Sequence, residues 1–269
     1  MWTDGKSVHT ADYYHRVALQ FMEFVGKPLH LVSLAEVQAF AHNLEERGIK
    51  ASTRRTAIAA VKSLLSFGHK IGVLPANVGA IVKPPKAPDC LHQRLLSEME
   101  VQGMFLLETH PRNRALLRLL YYGGLRVSEL CALKWDDIDV SGSEVRVTVT
   151  GKGIKTRTVL VPLSVGVEVL ALQGDASTSE PMFRSRQGDH FGHLARSRVY
   201  QIVKAAAQRA GIKGNISPHW LRHAHASHAI QRGAKLHLVC ATLGHSSLAV
   251  TGRYLHARPD ESSGLYLPT

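Results

Sequence analysis

Residues 217–228 read S-P-H-W-L-R-H-A-H-A-S-H. Ser217 is a good N-cap, Pro218 suits the first helical position, and His219 and Arg222 share one face of the helix that follows. A helix N-terminus carries partial positive charge and unpaired N–H groups, so this turn suits a bound anion such as a phosphate. His219 and His223 also have the i, i+4 spacing of a metal pair. The segment brings no acidic or cysteine ligand to complete such a set, and no metal site is expected. His223, His225 and His228 read as packing or hydrogen-bonding histidines.

Three other segments carry the same chemical character. Downstream, residues 243–256 are L-G-H-S-S-L-A-V-T-G-R-Y-L-H, with His245 followed by Tyr254 on a helix that Ser246 or Ser247 can cap. Upstream, residues 122–130 are Y-G-G-L-R-V-S-E-L, with Arg126, and residues 150–157 are T-G-K-G-I-K-T-R, with Lys152. Singly, each residue has an ordinary reading: a surface arginine, a turn lysine, a loop histidine, a half-buried tyrosine. Together, Arg126, Lys152, His219, Arg222 and His245 are cations or potential cations, and like charges are gathered only around an anion. A tyrosine beside a clamped phosphodiester is a candidate nucleophile.

The rest of the chain supplies a frame for this set. Tyr14, Val17, Ala18, Phe21 and Val25 recur at helical spacing. Ser33 to Glu36 is a capping box, with Val37, Phe40, Ala41 and Leu44 as an apolar face ending at Gly48. Ile58, Val61, Leu64 and Leu65 mark a third helix, with Arg54, Arg55 and Lys62 on its other side, and a short fourth helix is expected around Asn77 to Val82. K-P-P-K-A-P-D, residues 83–89, favours extended backbone and reads as a linker between two folded blocks. The second block opens with a capping box, Ser97 to Glu100, and an apolar helix runs into Gly123-Gly124. After Trp135 and an acidic turn the period changes. Val145, Val147 and Val149 alternate with polar residues, as do Val159 and Val161, which predicts a β-hairpin with Lys152 near its tip. The pattern then reads as helical to about residue 258, with Gly211 and Gly233 as C-cap candidates.

Composition narrows the function classes. The balance of 33 Lys+Arg against 21 Asp+Glu gives a formal charge of +12 and a pI near 9.8, which favours a polyanionic partner. No apolar run approaches the ~20 residues that span a bilayer, and the first residues lack a signal-peptide pattern, so no membrane role is expected. Cys90, Cys131 and Cys240 are odd in number and far apart, which fits neither a disulfide framework nor a metal pair and points to a reduced cytoplasmic compartment.

The order Arg, Lys, His-x-x-Arg, His, Tyr resembles the tyrosine recombinases, the phage integrase family, with the Xer-type and simple integrases as the nearest group. The resemblance implies a mainly α fold with a small antiparallel β-sheet. It has an N-terminal helical, SAM-like core-binding domain (1–83), a linker (84–94) and an α+β catalytic domain of the integrase fold with a C-terminal tail (95–269). It implies a site-specific recombinase whose Tyr254 attacks a DNA phosphate to form a 3′-phosphotyrosine. Arg126 and Arg222 would hold the non-bridging oxygens, His219 would be general base or phosphate ligand, His245 a donor to the phosphate, and Lys152 the acid for the leaving 5′ oxygen. Glu129 would orient these groups from behind. No cofactor, ATP or metal is implied. The partners implied are double-stranded recombination sites, further copies of the chain (a dimer on a site, a tetramer in the synapse) and in some systems a partner recombinase, in the cytoplasm at the nucleoid. Two alternatives stand beside this: a type IB topoisomerase-like enzyme, and a catalytically silent DNA-binding regulator.

If the cationic side chains supply the charge that a divalent ion would otherwise bring, DNA cleavage persists in EDTA. Cleavage that stops on chelation and returns with added metal would revive His219 and His223 as ligands.

Overall fold

A computed structural model describes residues 2–85, 95–142, 144–151, 156–185, 192–245, 247–252 and 254. The chain divides into two compact units, Met1–Asp89 and Cys90–Thr269.

The first unit is helical. Helix α1 (Val8–Val25) begins at Ser7, whose side chain accepts from the Thr10 amide, and ends at Gly26 in the left-handed region. Helix α2 (Leu34–Glu46) starts at the Ser33–Glu36 capping box, and α3 (Ala51–Lys70) packs on both. Their inward faces bury Val17, Phe21, Val37, Phe40, Ile58, Val61 and Leu65, with Phe21 edge-on to Phe40. The expected fourth helix is a single 3₁₀ turn, Val78–Ala80, and a second such turn covers Leu29–Leu31. The Lys62 ammonium caps the first of these turns by donating to the carbonyls of Ala80 and Val82.

The second unit wraps helices around a small sheet. Helices α4 (Glu98–Leu106), α5 (Pro111–Tyr122) and α6 (Val127–Ala132) precede the three strands β1 (Ile138–Ser141), β2 (Glu144–Thr150) and β3 (Thr156–Pro162). The sheet is antiparallel in the order β1-β2-β3, with Val145 opposite Val161 and Val147 opposite Val159. Helices α7 (Leu163–Leu170), α8 (Arg196–Arg209), α9 (Pro218–Gln231), α10 (Leu236–Leu243) and α11 (Leu248–Gly252) complete the unit. The residues read as an acidic turn are a 3₁₀ turn, Trp135–Asp137, running straight into β1. The segment between α7 and α8, read as helical, is not helical where it is described; it carries two isolated bridges, Lys134 to Pro181 and Arg184 to His193. Gly211 and Gly233 do take positive φ just past the caps of α8 and α9.

The core is built on α5, whose Leu116, Leu117, Leu119 and Leu120 are fully buried against the sheet and the surrounding helices. One polar lock crosses it. His228 on α9 lies 2.9 Å from the Tyr121 hydroxyl through Nδ1 and 2.9 Å from the Leu96 carbonyl through Nε2. The carbonyl can only accept, so Nε2 carries the proton and Nδ1 accepts from the phenol. His225 packs beside Tyr121, and burial pushes its imidazole down to about 4. Cys131 and Cys240 are free thiols and both buried, while Cys90 lies outside the described residues. Among the described residues no helix is long and apolar enough to cross a membrane.

Close packing makes the sheet–α7 contact testable. A Cβ built at Gly166 would stand 2.2 Å from Val145 Cγ2. Gly166→Ala is expected to lower stability by about 1–3 kcal/mol, read as a lower denaturation midpoint, and Val145→Ala in the same chain should recover part of the loss.

Candidate active site

Arg222 is one of the enclosed charges of the second unit, with Glu108 and Glu129. It sits in the second turn of α9, only 4% exposed, and donates from Nη1 to the Gly124 carbonyl and from Nη2 to the Leu243 carbonyl, each at 2.5 Å. Two backbone turns therefore fix its plane. Burial, then the charge of Arg126, lower its pKa to about 10, so it stays a cation at neutral pH. The Gly123-Gly124 turn can come this close because Gly124 has φ +56° and no side chain; a Cβ there would lie 2.8 Å from Leu243 and 3.0 Å from the His225 ring.

Arg126 is the N-cap of α6, not a residue within it. Its amide donates to Glu129 Oε2 at 2.8 Å and its Nη1 to Glu129 Oε1 at 2.7 Å, a capping arrangement closed by the residue's own side chain. Its Nη2 reaches the Gly244 carbonyl at 3.1 Å, which ties α6 to the loop holding His245. About a third of the Arg126 side chain remains open to solvent. The carboxylate of Glu129 is nearly enclosed and also receives both arms of Arg157, at 2.9 Å each. Burial alone would raise its pKa. The hydrogen bonds from Arg157 and then from Arg126 more than reverse this and hold it at about 2.

His245 follows Gly244, the left-handed cap of α10, and its Nδ1 lies 2.8 Å from the Thr251 hydroxyl. Burial, then Arg222, Arg126 and Arg157, push its imidazole down to about 4. His219 is exposed in the first turn of α9, where desolvation by the surrounding protein, then Arg222 and Arg126, also lower its pKa. Both histidines are therefore neutral near pH 7.

Tyr254 is 7% exposed and packs with Ala226, Val239 and Leu243. It follows the short helix α11 instead of riding within it; the Ser247 hydroxyl accepts from the Ala249 amide at the start of that helix. The Tyr254 hydroxyl lies 2.6 Å from His223 Nδ1, and Tyr254 is close enough to Arg222 to perturb it.

The structure thus brings Arg126, His219, Arg222, His245 and Tyr254 into one electrostatic cluster. Lys152 lies outside the described residues, although β2 and β3, the arms that flank it, pair as expected. Among the described residues no group of three or more His, Cys, Asp or Glu is placed to hold a metal ion. One member of the cluster, Arg157, is absent from the sequence reading, while another, His223, reads there as a packing or hydrogen-bonding histidine and makes its hydrogen bond to Tyr254. Arg157 had a readable signal: it shares the alternating register of Val159 and Val161, where an apolar residue belongs. The partner of His223 is not legible in the sequence, because its pairing with Tyr254 spans 31 positions.

Comparison with known proteins agrees with this geometry. Residues 93–261 match the model of the phage integrase family. The tyrosine recombinase XerC of Xylella fastidiosa (strain M23) is 34% identical over 263 residues, covering 94% of this chain and 87% of the relative. A tyrosine recombinase of Thermosipho africanus is 33% identical over 264 residues, covering 95% and 91%. Among solved structures, the XerH site-specific recombinase in a post-cleavage complex with palindromic difH substrate superposes with a TM-score of 0.76 at 22% identity, covering 91% of this chain and 75% of that one. A lambda integrase (75–356) dimer bound to a COC′ core site gives 0.74 at 17% identity, covering 97% and 93%. These two show the shared fold, and the sequence relatives show the descent. The chain belongs to the phage integrase family, as a tyrosine recombinase of the Xer type.

Proposed function

We propose that this chain is a site-specific recombinase that cuts and rejoins duplex DNA through Tyr254, with Arg126, Lys152, His219, Arg222 and His245 as its catalytic set. One observation carries the assignment: a phenol held among buried and half-buried cations whose positions are fixed by backbone carbonyls. Charge supports it. Arg126, Arg157 and Arg222 against Glu129 leave a surplus of two positive charges when the histidines are neutral. A phosphodiester carries one negative charge and its five-coordinate transition state about two, so the surplus matches the transition state better than the ground state.

In this reading the Tyr254 oxygen attacks phosphorus, the bond to the 5′ oxygen breaks, and a 3′-phosphotyrosine remains. The phenolic proton passes to His223 Nδ1, its near neighbour at 2.6 Å, provided that ring carries its proton on Nε2. That leaves His219 and His245 as ligands of the phosphate and Lys152 as donor of a proton to the leaving 5′ oxygen. The transferred bond keeps its energy, so a second strand's 5′-hydroxyl can reverse the step. We assign residues 1–83 to core binding, 84–94 to the linker and 95–269 to catalysis, supported by the division into two compact units. The partner is double-stranded DNA, and two or more copies act together. Relatives support this: lambda integrase is known as a dimer on a core site and a tetramer on a Holliday junction. The work is done in the cytoplasm, at the nucleoid.

Tyr254→Phe should keep DNA binding and lose every covalent adduct on a nicked suicide duplex, seen on a denaturing gel. An adduct that persists would mean another nucleophile. Lys152→Ala should slow cleavage by roughly 10²–10⁴-fold with little change in affinity. A substrate with sulfur at the 5′ bridging position leaves without protonation and should restore most of that rate. It should not rescue Arg222→Ala, and failure to rescue Lys152→Ala would remove the lysine from the role of acid.

The fold lowers the pKa of both His219 and His245 from the ordinary imidazole value, His245 to about 4. A bound phosphate favours their charged forms, so DNA binding near pH 6 should take up protons. Titration calorimetry in buffers of differing ionisation enthalpy measures this, and net proton release would contradict it. The same sign governs the folded state. A His whose native pKa is depressed stabilises fully above its unfolded value near 6.5 and loses that contribution as pH falls toward the native value. His225 and His245, both at about 4, therefore cost the empty protein stability between roughly pH 6.5 and 4.

A further inference from the structure

We infer that Arg157, on β3, is a positioning residue for strand cleavage, acting through Glu129 on Arg126 and through the end of α10 on the loop that carries His245. The inference rests on the recombinase reading above and adds a residue to it.

The argument begins with register. Arg157 pairs with Val149 and falls in phase with Val159 and Val161, so its side chain enters the unit beside apolar neighbours and is only 14% exposed. A guanidinium in such a place needs strong partners. It has them: Nη1 and Nη2 grip the two oxygens of Glu129 at 2.9 Å each, and Nε donates to the Thr242 carbonyl at 2.7 Å. Its stem lies against Gly244, where a Cβ would meet Nη1 at 3.1 Å and Cδ at 3.2 Å. One side chain from the sheet therefore touches α6 through Glu129 and the α10 terminus through Thr242 and Gly244.

Those are the contacts that aim Arg126. Its Nη1 goes to the same Glu129 Oε1, and its Nη2 goes to Gly244. With Arg157 holding both carboxylate oxygens, Glu129 needs only a share of Arg126, and part of that guanidinium stays open to solvent. Without Arg157, a buried carboxylate would be short of donors and would draw Arg126 inward, away from a phosphate. A lysine at 157 keeps the charge but not the fork, so it cannot hold two oxygens and a carbonyl in one plane. A role in stability alone would require only the charge.

The test uses the full chain and a nicked suicide duplex carrying the sequence to which Tyr254 is found linked in cells, at a temperature where circular dichroism shows every variant folded. Arg157→Lys should lower the single-turnover cleavage rate at saturating DNA by roughly 10–100-fold, with the Kd for the duplex changed by less than about threefold. The loss should depend on Arg126: in an Arg126→Lys background, Arg157→Lys should cost less than about threefold more. Three results overturn the inference. One is a cleavage rate in Arg157→Lys equal to that of the parent. Another is a loss of the same size in both backgrounds. The third is a loss confined to Kd. If the parent chain itself forms no adduct, the recombinase reading fails first and this inference falls with it, whereas a parent that cleaves and an indifferent Arg157→Lys sink the inference alone.

Discussion

The second unit depends on one enclosed guanidinium. Arg222 is cut off from water and gives hydrogen bonds to two carbonyls that belong to different parts of the chain, the Gly123-Gly124 turn and the end of α10. Leaving either acceptor unpaired, or the charge itself unpaired, would be costly in a dry interior. The geometry of three segments follows from satisfying it. The turn before α6 must come close, which is why Gly124 has no side chain. The α10 terminus must present its last carbonyls inward, which sets where His245 begins. The first two turns of α9 must face both, which places His219 beside the same point. Arg222 is thus a structural pin and a source of positive potential at once, and the second role comes from the first.

A second layer of charges surrounds that pin with opposite design. Glu129 is as buried as Arg222 but is shared between two arginines, so its negative charge holds them in place without cancelling both. Together with Arg222 the two arginines exceed it by two charges, so the cluster keeps a net positive potential. The ratio of cations to carboxylates in this cluster is set by which β3 and α6 residues face inward.

Much of this was readable from residues alone, and the reasons it was or was not are physical. Strong periodicity gave α1, α2, α3 and the β2–β3 hairpin, because each buries one clean apolar face. The strand β1 was read as a turn because it is four residues long and half acidic-polar, and it owes its existence to pairing with β2, Asp139 opposite Arg146, more than to its own sequence. The turn at Val78–Ala80 was read as a helix because its composition allows one, yet so short a segment cannot sustain α-helical bonds and tightens to 3₁₀. At the site, the residues proposed to meet a substrate stand in recognisable boxes, whereas those that hold them do not. Arg157 announces itself only through the alternation of its strand, and His223 only through a contact across a long loop of chain.

The cationic cluster carries an electrostatic cost. Several like charges are held together by covalent geometry and backbone carbonyls with a single carboxylate among them, and two histidines are kept from protonating by their neighbours. On the proposed reading an anion bound there would relieve the repulsion and bind the native state alone, so its free energy of binding would add to that of folding. Handling of the protein follows from this. Phosphate or sulfate in a purification buffer would act as a mild ligand, raising the denaturation temperature with concentration, while a buffer of bulky, poorly coordinating anions would leave the fold at its weakest. On that reading the choice of counterion in the tube would set part of this chain's stability.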